Sequence, residues 1–390
     1  MTAAKNCNLL NIINILCVLG IVVSITMGKH ATAANSPKAS GLMSVEEGDA
    51  YFEMGLYQQA IQAYEKSLKS DKTTFGKQHP ASVRDNVKLA KAWVKLQKLE
   101  KGVGYYKTAL SGALASYPHT SPVIRSIRIN LADTLIAANQ IKASTKILED
   151  VLEQDVQELG WKHVRVAYDW RRLGDAWLLA GQFKTALDYY EKALESNIRQ
   201  YGRNHAEVAA RMSNVGQAWG KIGNFIKSVE FFEKAEHINV QILGDRHPQL
   251  ATDWSNLGQA WHGLGHYDRA INFFDKAVEN LLFNYGKSHA AVAENWRLLG
   301  VSWTKVEKFS KAMDYLNKAL DSHKKLLGGQ SLEVARDEQA IAETLFQDGK
   351  VRKAMDSMRK AKSIYQAKLG AMDSTTIHAQ QRLDFFNGQL

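Results

Sequence analysis

Along this chain, apolar residues recur at three- and four-residue steps in runs broken by polar turns, and the runs repeat every 42 residues. Between residues 248 and 264, Leu250, Trp254, Leu257, Gly258 and Trp261 share one helical face. Between 267 and 283, Ala270, Ile271, Phe274, Ala277, Val278 and Leu281 do the same. This spacing predicts two amphipathic helices, each burying one stripe. Gly265 separates them. Gly244 closes the helix before, because glycine reaches the left-handed conformation that ends helices. His247-Pro248 opens the next, where proline is tolerated in the first turn.

The register runs without insertion or deletion. A small residue recurs in the first helix at Gly48, Ala90, Ala132, Gly174, Gly216, Gly258, Gly300 and Ala342. A large one follows three residues later at Tyr51, Trp93, Leu135, Trp177, Trp219, Trp261, Trp303 and Leu345. The second helix repeats a small position (Ala60, Gly102, Ser144, Ala186, Ser228, Ala270, Ala312, Ala354) and a large one (Tyr64, Tyr106, Leu148, Tyr190, Phe232, Phe274, Leu316, Met358). The turn inside each unit recurs at Gly55, Gln97, Asn139, Gly181, Gly223, Gly265, Glu307 and Gly349. Small residues let two backbones approach, and the large ones fill the space beside them. No single unit can cover its own apolar face, so successive units must stack. The expectation is an all-α, right-handed helix–turn–helix solenoid of about eight helix pairs over residues 42–390. A lone helix, Ser374–Phe386, would cap its end, with Gln380, Gln381, Arg382 and Asp384 as a polar outer face.

The small–x–x–aromatic pattern of the first helix and the Ala–x–x–x–aromatic–x–x–Ala pattern of the second resemble the tetratricopeptide repeat. YDRAINFFDKA, from Tyr267 to Ala277, and FKTALDYYEKA, from Phe183 to Ala193, carry the likeness. The 42-residue length and the Gly-x-x-His-Pro loops at Gly76–Pro80 and Gly244–Pro248 are similar to the repeats of kinesin light chain and related bacterial proteins. The family's closing proline is missing from these units. The resemblance implies a superhelical fold whose concave surface is lined mainly by first helices, six and three residues before the small position and one, four and five after it. In the central units those places hold Arg171, Asp175, Ser213, Gln217, Lys221, Ser255, Gln259, His262, Arg297 and Lys305. Kinesin-light-chain repeats carry asparagine three before the small position; here Arg171, Ser213, Ser255 and Arg297 stand there, which argues against a shared ligand.

The first 33 residues fall outside the register. Lys5, an apolar run from Leu9 to Met27, and Ala31-Thr32-Ala33 read as a secretory signal peptide cleaved after Ala33. The competing reading is an uncleaved anchor, since the run is long enough to span a bilayer. A membrane partner enters only in that case. Residues 34–41 read as a short polar lead-in. Both cysteines, Cys7 and Cys17, lie in the leader, so the mature chain would have neither disulfides nor thiolate chemistry. Its destination would be periplasmic or secreted. The formal charge is +10, and removing Lys5 and Lys29 leaves +8. The charges are interspersed along the helices, so solvated faces explain most of them.

His79, His163, His205, His247 and His289 recur one per unit, which keeps them from converging on a metal ion. They are expected to cap or brace helix starts, and no metal or other cofactor is expected. His262 stands apart, on the groove side of its helix. The tryptophans three after the small position are expected in the core, whereas Trp161 lies in a loop between units. Neither a phosphate-cradling loop, H-E-x-x-H nor G-x-S-x-G occurs, so no enzyme is expected. Gly102, Gly104, Gly112 and the loop from Tyr117 to Pro122 mark an expected soft joint between the second and third units. The function these readings favour is an exported scaffold or adaptor that binds protein or peptide segments in its groove. The alternatives are a binder of polysaccharide or another envelope polymer, with an anionic polymer as a candidate partner, and a self-assembling structural protein. Nucleic acid is not an expected partner.

Overall fold

The computed structural model describes residues 37–389, and side chains from Ser44 onward. The expected signal peptide and the cleavage site at Ala33 lie outside the described residues. The described residues are helical and contain no strand. They divide into two compact units, with the boundary between Trp161 and Lys162.

The first unit contains α1 (Pro37–Glu53), α2 (Tyr57–Phe75), α3 (Pro80–Lys95), α4 (Leu99–Ser116), α5 (Pro122–Ala137) and α6 (Ile141–Leu159). Thus α1 begins inside the segment read as a polar lead-in. The second unit contains α7 (Val164–Leu179), α8 (Phe183–Tyr201), α9 (Ala206–Ile222), α10 (Phe225–Leu243), α11 (Gln249–Gly263), α12 (Tyr267–Tyr285), α13 (Ala290–Lys305), α14 (Phe309–Leu327), α15 (Leu332–Gln347), α16 (Val351–Leu369) and α17 (Ser374–Asn387). Within each unit consecutive helices pack as antiparallel pairs, and the second helix of one pair packs on the first of the next. The all-α solenoid architecture read from the repeat is therefore present, down to the lone final helix.

The sharpest fit is inside each pair. A Cβ added at Gly174 would lie 2.4 Å from the Tyr190 ring, and one at Gly258 would lie 2.5 Å from the ring of Phe274. The large residue of the second helix therefore lies in the hollow that the missing side chain leaves. In the second pair the glycine sits on the other helix: Ala90 faces Gly102, where a Cβ would meet Val94 at 2.6 Å. This changes the reading of residues 100–125. Gly102 and Gly112 are buried packing positions in an unbroken helix, and only Gly104 faces open space. A large buried cluster, including Val103, Tyr106, Ile124 and Leu131, spans the stretch expected to be soft.

All eight intra-unit turn positions are left-handed, including three without glycine: Gln97 (φ 59°), Asn139 (φ 58°) and Glu307 (φ 58°). The recurring tryptophans are half-buried rather than fully interior. Each packs at the edge of a core cluster, and a cation covers the ring of four of them. Lys101 lies 4.0 Å from the Trp93 centroid, Lys227 4.0 Å from Trp219, Arg269 4.4 Å from Trp261 and Lys311 4.5 Å from Trp303.

A polar seam joins neighbouring pairs, five residues before the small position. Buried Asp85 accepts from Ser67 Oγ at 2.6 Å, and Asp253 accepts from Asn239 Nδ2 at 2.7 Å. Asp337 lies 2.7 Å from His323 Nδ1, with both side chains buried. Burial pushes the pKa of all three carboxyls upward.

Two opposite stability effects are expected. Gly174→Ala should lower stability by roughly 1–3 kcal/mol, the usual cost of overpacking a tight site. Glu307→Gly should raise it by up to about 1 kcal/mol, because glycine carries no steric penalty at positive φ. Chemical denaturation of the two variants checks both signs.

Candidate functional site

The first helices α9 and α11, α11 and α13, and α13 and α15 touch one another directly as well as their own partners. That crowding makes the first-helix side the inner face of the second unit. Two clefts open on it. One, of about 260 Å³, lies between α9, α10 and α11 and is lined by Gln217, Lys221, Asn256 and Gln259 above Phe225 and Phe232. The other, of about 440 Å³, lies where α13, α15 and α17 converge; Arg297, Lys305, Arg336, Gln339, Glu343 and His378 line it.

The ten residues expected in the groove divide by what they already hold. Gln217, Lys221 and Gln259 are exposed in the smaller cleft, and Lys305 is exposed in the larger one. Arg171 is ion-paired with Asp175 along α7, and Asp175 also accepts from Tyr190 Oη at 2.8 Å. Arg297 lines the larger cleft but donates to Glu294, its Nε at 3.0 Å from Oε2. Ser213 and Ser255 are half-buried. These pairs leave Arg171 and Arg297 less available than their positions suggest.

His262 is half-buried, with its Nδ1 3.0 Å from Ser302 Oγ. Ser302 Oγ also lies 2.9 Å from the Leu298 carbonyl, an acceptor for its one hydrogen; with that bond made, Nδ1 of His262 donates to Ser302. The ring also stands edge-on to Tyr267, with centroids 5.0 Å apart. Burial first, and then the charge of Lys305, hold its pKa below the ordinary 6.5. It is a packed, neutral residue that ties α11 to α13.

The loop histidines act as caps. Nδ1 of His79, His163, His205, His247 and His289 accepts from the backbone N–H two residues on, at 3.1 to 3.2 Å. Three of these rings also stack on the aromatic residue four before: Phe75 on His79, Tyr201 on His205 and Tyr285 on His289, each at 4.4 Å. Ser121, Ser331 and Asp373 occupy the same place in other units and cap in the same way. Residues exchanged so freely serve the helix start.

What the sequence reading left out is the continuation of the groove. Arg336, Gln339, Glu343 and Gln347 stand six and three before Ala342 and one and five after it. The register applied to the central units would have found them. His378 extends it onto α17. Arg382, expected on the outer polar face, instead reaches across to Glu343, donating at 2.7 and 2.5 Å.

Tetratricopeptide-repeat family models match residues 45–74, 166–238 and 220–282. The chain is a tetratricopeptide-repeat protein. Among solved structures, this tetratricopeptide-repeat chain is similar to a repeat protein of the same kind from Parabacteroides merdae ATCC 43184. The two share 12% identity and a TM-score of 0.56, over 78% of this chain and 98% of that one. It is also similar to a Rap protein complexed with competence and sporulation factor, at 11% identity and a TM-score of 0.51, over 90% and 98% of the two chains. A Podosopora anserina putative kinesin light chain structure aligns at 18% identity and a TM-score of 0.47, over 53% of this chain and 98% of that one. At these identities the first two likenesses concern the fold alone, and the third is too distant to carry argument. No curated protein matches the sequence.

Two measurements probe these assignments. His205→Ala should cost about 1 kcal/mol, the usual worth of an N-cap, and His205→Asp should restore most of it. In proton NMR, His262 should titrate below 6.5. Its contribution to stability is whole above 6.5 and is lost as the pH falls toward its folded-state value, because the unfolded chain takes up the proton first. His262→Gln should therefore flatten that part of the stability profile.

Proposed function

We propose that this chain is an exported scaffold that holds an extended protein segment along the first-helix face of its second unit, without catalysis of its own. The observation that carries the reading is the larger cleft, built from side chains of α13, α15 and α17 in one register. Lys305 makes no ion pair among the described residues, and Arg336 reaches only Glu333, at 3.9 Å. These two exposed cations can form charge-assisted bonds to carboxylates of a bound chain. Gln339 and Gln347 offer amides for its backbone. A stacked repeat array suits an extended ligand better than a compact one. The Rap protein solved with competence and sporulation factor is an instance of the same fold holding a ligand. Export rests on the leader-like composition of residues 1–33 and the absence of cysteine after Cys17.

The test is affinity capture from the native envelope fraction with the wild type and a Lys305→Glu/Arg336→Glu variant. Both side chains are exposed, so the fold should persist. The principal partner should lose at least roughly tenfold in affinity, or about 1.4 kcal/mol. A partner retained in full by the charge-reversed variant would remove the groove assignment. Intact mass of the native protein tests export: loss of residues 1–33 is expected, and a full-length chain would favour the anchor.

A further inference from the structure

The second unit carries another cleft, away from the first-helix face, of about 460 Å³. Its walls are two aromatic residues, Trp254 of α11 and Phe283 of α12, and four charged ones, Asp245, Arg246, Lys276 and Glu279. Trp254 is half-buried, and its Nε1 donates to Glu236 at 3.0 Å, so the indole is held in place. Phe283 is 65% exposed, with the Arg246 guanidinium 5.1 Å from its ring centroid. Buried Asn280 forms the floor, donating to the His247 carbonyl at 3.4 Å and accepting from Asn284 Nδ2 at 3.0 Å.

The repeat itself supplies the control for Phe283. At 42-residue steps its place is held by Thr73, Ala115, Gln157, Arg199, Gln241, Lys325 and Ala367. The fold needs no aromatic ring there, and a large exposed one brings no packing gain. Its coincidence with Trp254 occurs in this unit alone. The surrounding charges decide what such a site could take. Two carboxylates face two cations, so the cleft is balanced and favours no net-charged ligand. Neither Asp245 nor Glu279 makes an ion pair among the described residues. Carboxylates only accept and the cations only donate, so both kinds are satisfied together by a neutral ligand rich in hydroxyls, each of which can donate and accept. The held indole and the exposed Phe283 ring in turn favour a ligand with an apolar face.

We propose that this cleft is a saccharide-binding site. It takes a neutral sugar ring that lies against Phe283 and Trp254, with its hydroxyls bonded to Asp245 and Glu279. The site is separate from the first-helix groove and stands or falls independently of it. The probes are maltohexaose, cellohexaose, laminarihexaose and chitohexaose, titrated to about 10 mM against 5-fluorotryptophan-labelled protein. The Trp254 fluorine signal is assigned with Trp254→Phe. At least one oligosaccharide should shift that signal saturably at about millimolar affinity. Phe283→Ala and an Asp245→Asn/Glu279→Gln variant should each weaken binding by roughly tenfold or more, about 1.4 kcal/mol. All three altered side chains are exposed, and circular dichroism checks that the fold is kept. Lys305→Glu/Arg336→Glu should leave the titration unchanged. The proposal is overturned if none of the four sugars moves the signal, if binding survives Phe283→Ala, or if glycine betaine, a zwitterion, gives the same saturable shift.

Discussion

The close crossing of the two helices in each pair sets the terms for everything else. At Gly48, Gly174, Gly258 and Gly300 an added Cβ would lie within 2.5 Å of the large side chain sixteen residues later. The ring or Leu side chain fills the hollow above the glycine and so fixes how the second helix lies. The next first helix then packs on that second helix, which places the inner face. The constraint is on the pair and not on the glycine alone. Where the first helix offers Ala90, the second answers with Gly102, and close approach is preserved. Helix-interior glycine costs about 1 kcal/mol against alanine in an exposed helix. Here that cost is offset by the buried ring it admits.

Most of the fold was legible in the sequence because a repeat multiplies each weak signal by eight. Apart from the start of α1, which lies inside the expected lead-in, the helix boundaries, the left-handed turns and the final helix fell where the register put them, since each is tied to a local residue choice. Even Gln97 and Glu307, poor residues for positive φ, take it because their neighbours on both sides are set by packing. What escaped the pattern was non-local. Gly112 looked like weakness, and only its contact with Val83 shows it as packing; Gly102, already a small position of the register, meets Val94. The tryptophans looked like core, yet their outer faces are closed by cations that arrive eight residues later, from the next helix.

The site was half legible for a related reason. Register locates a position on a helix face and says nothing of whether its charge is already spent. Arg171 and Arg297 stand on the inner face, but Asp175 and Glu294 occupy them, three or four residues away on their own helices. His262 likewise faces inward and is consumed by Ser302, forty residues on. Of the cations left over, Lys221 lines the smaller, central cleft, while Lys305 and Arg336 lie together toward the end of the array. There His378 of α17 adds a further wall to the cleft. The groove proposed for this chain is therefore placed by where internal pairing leaves two cations close together, and not by the midpoint of the array.

The buried seam shows the same economy working against uniformity. Asp85, Asp253 and Asp337 share one position in the repeat, yet each has a different partner: Ser67, Asn239 and His323. Buried polar pairs are weak sources of stability, because desolvation consumes most of what the contact gains, and the raised carboxyl pKa values show that cost here. They are strong sources of discrimination, since removing one partner strands the other in the interior. Eight similar units could stack out of order on apolar contacts alone. A seam whose partners differ from joint to joint makes a displaced stacking pair Asp337 with something other than His323, and so penalises it. The uniform positions therefore build the array, and the variable ones number its joints.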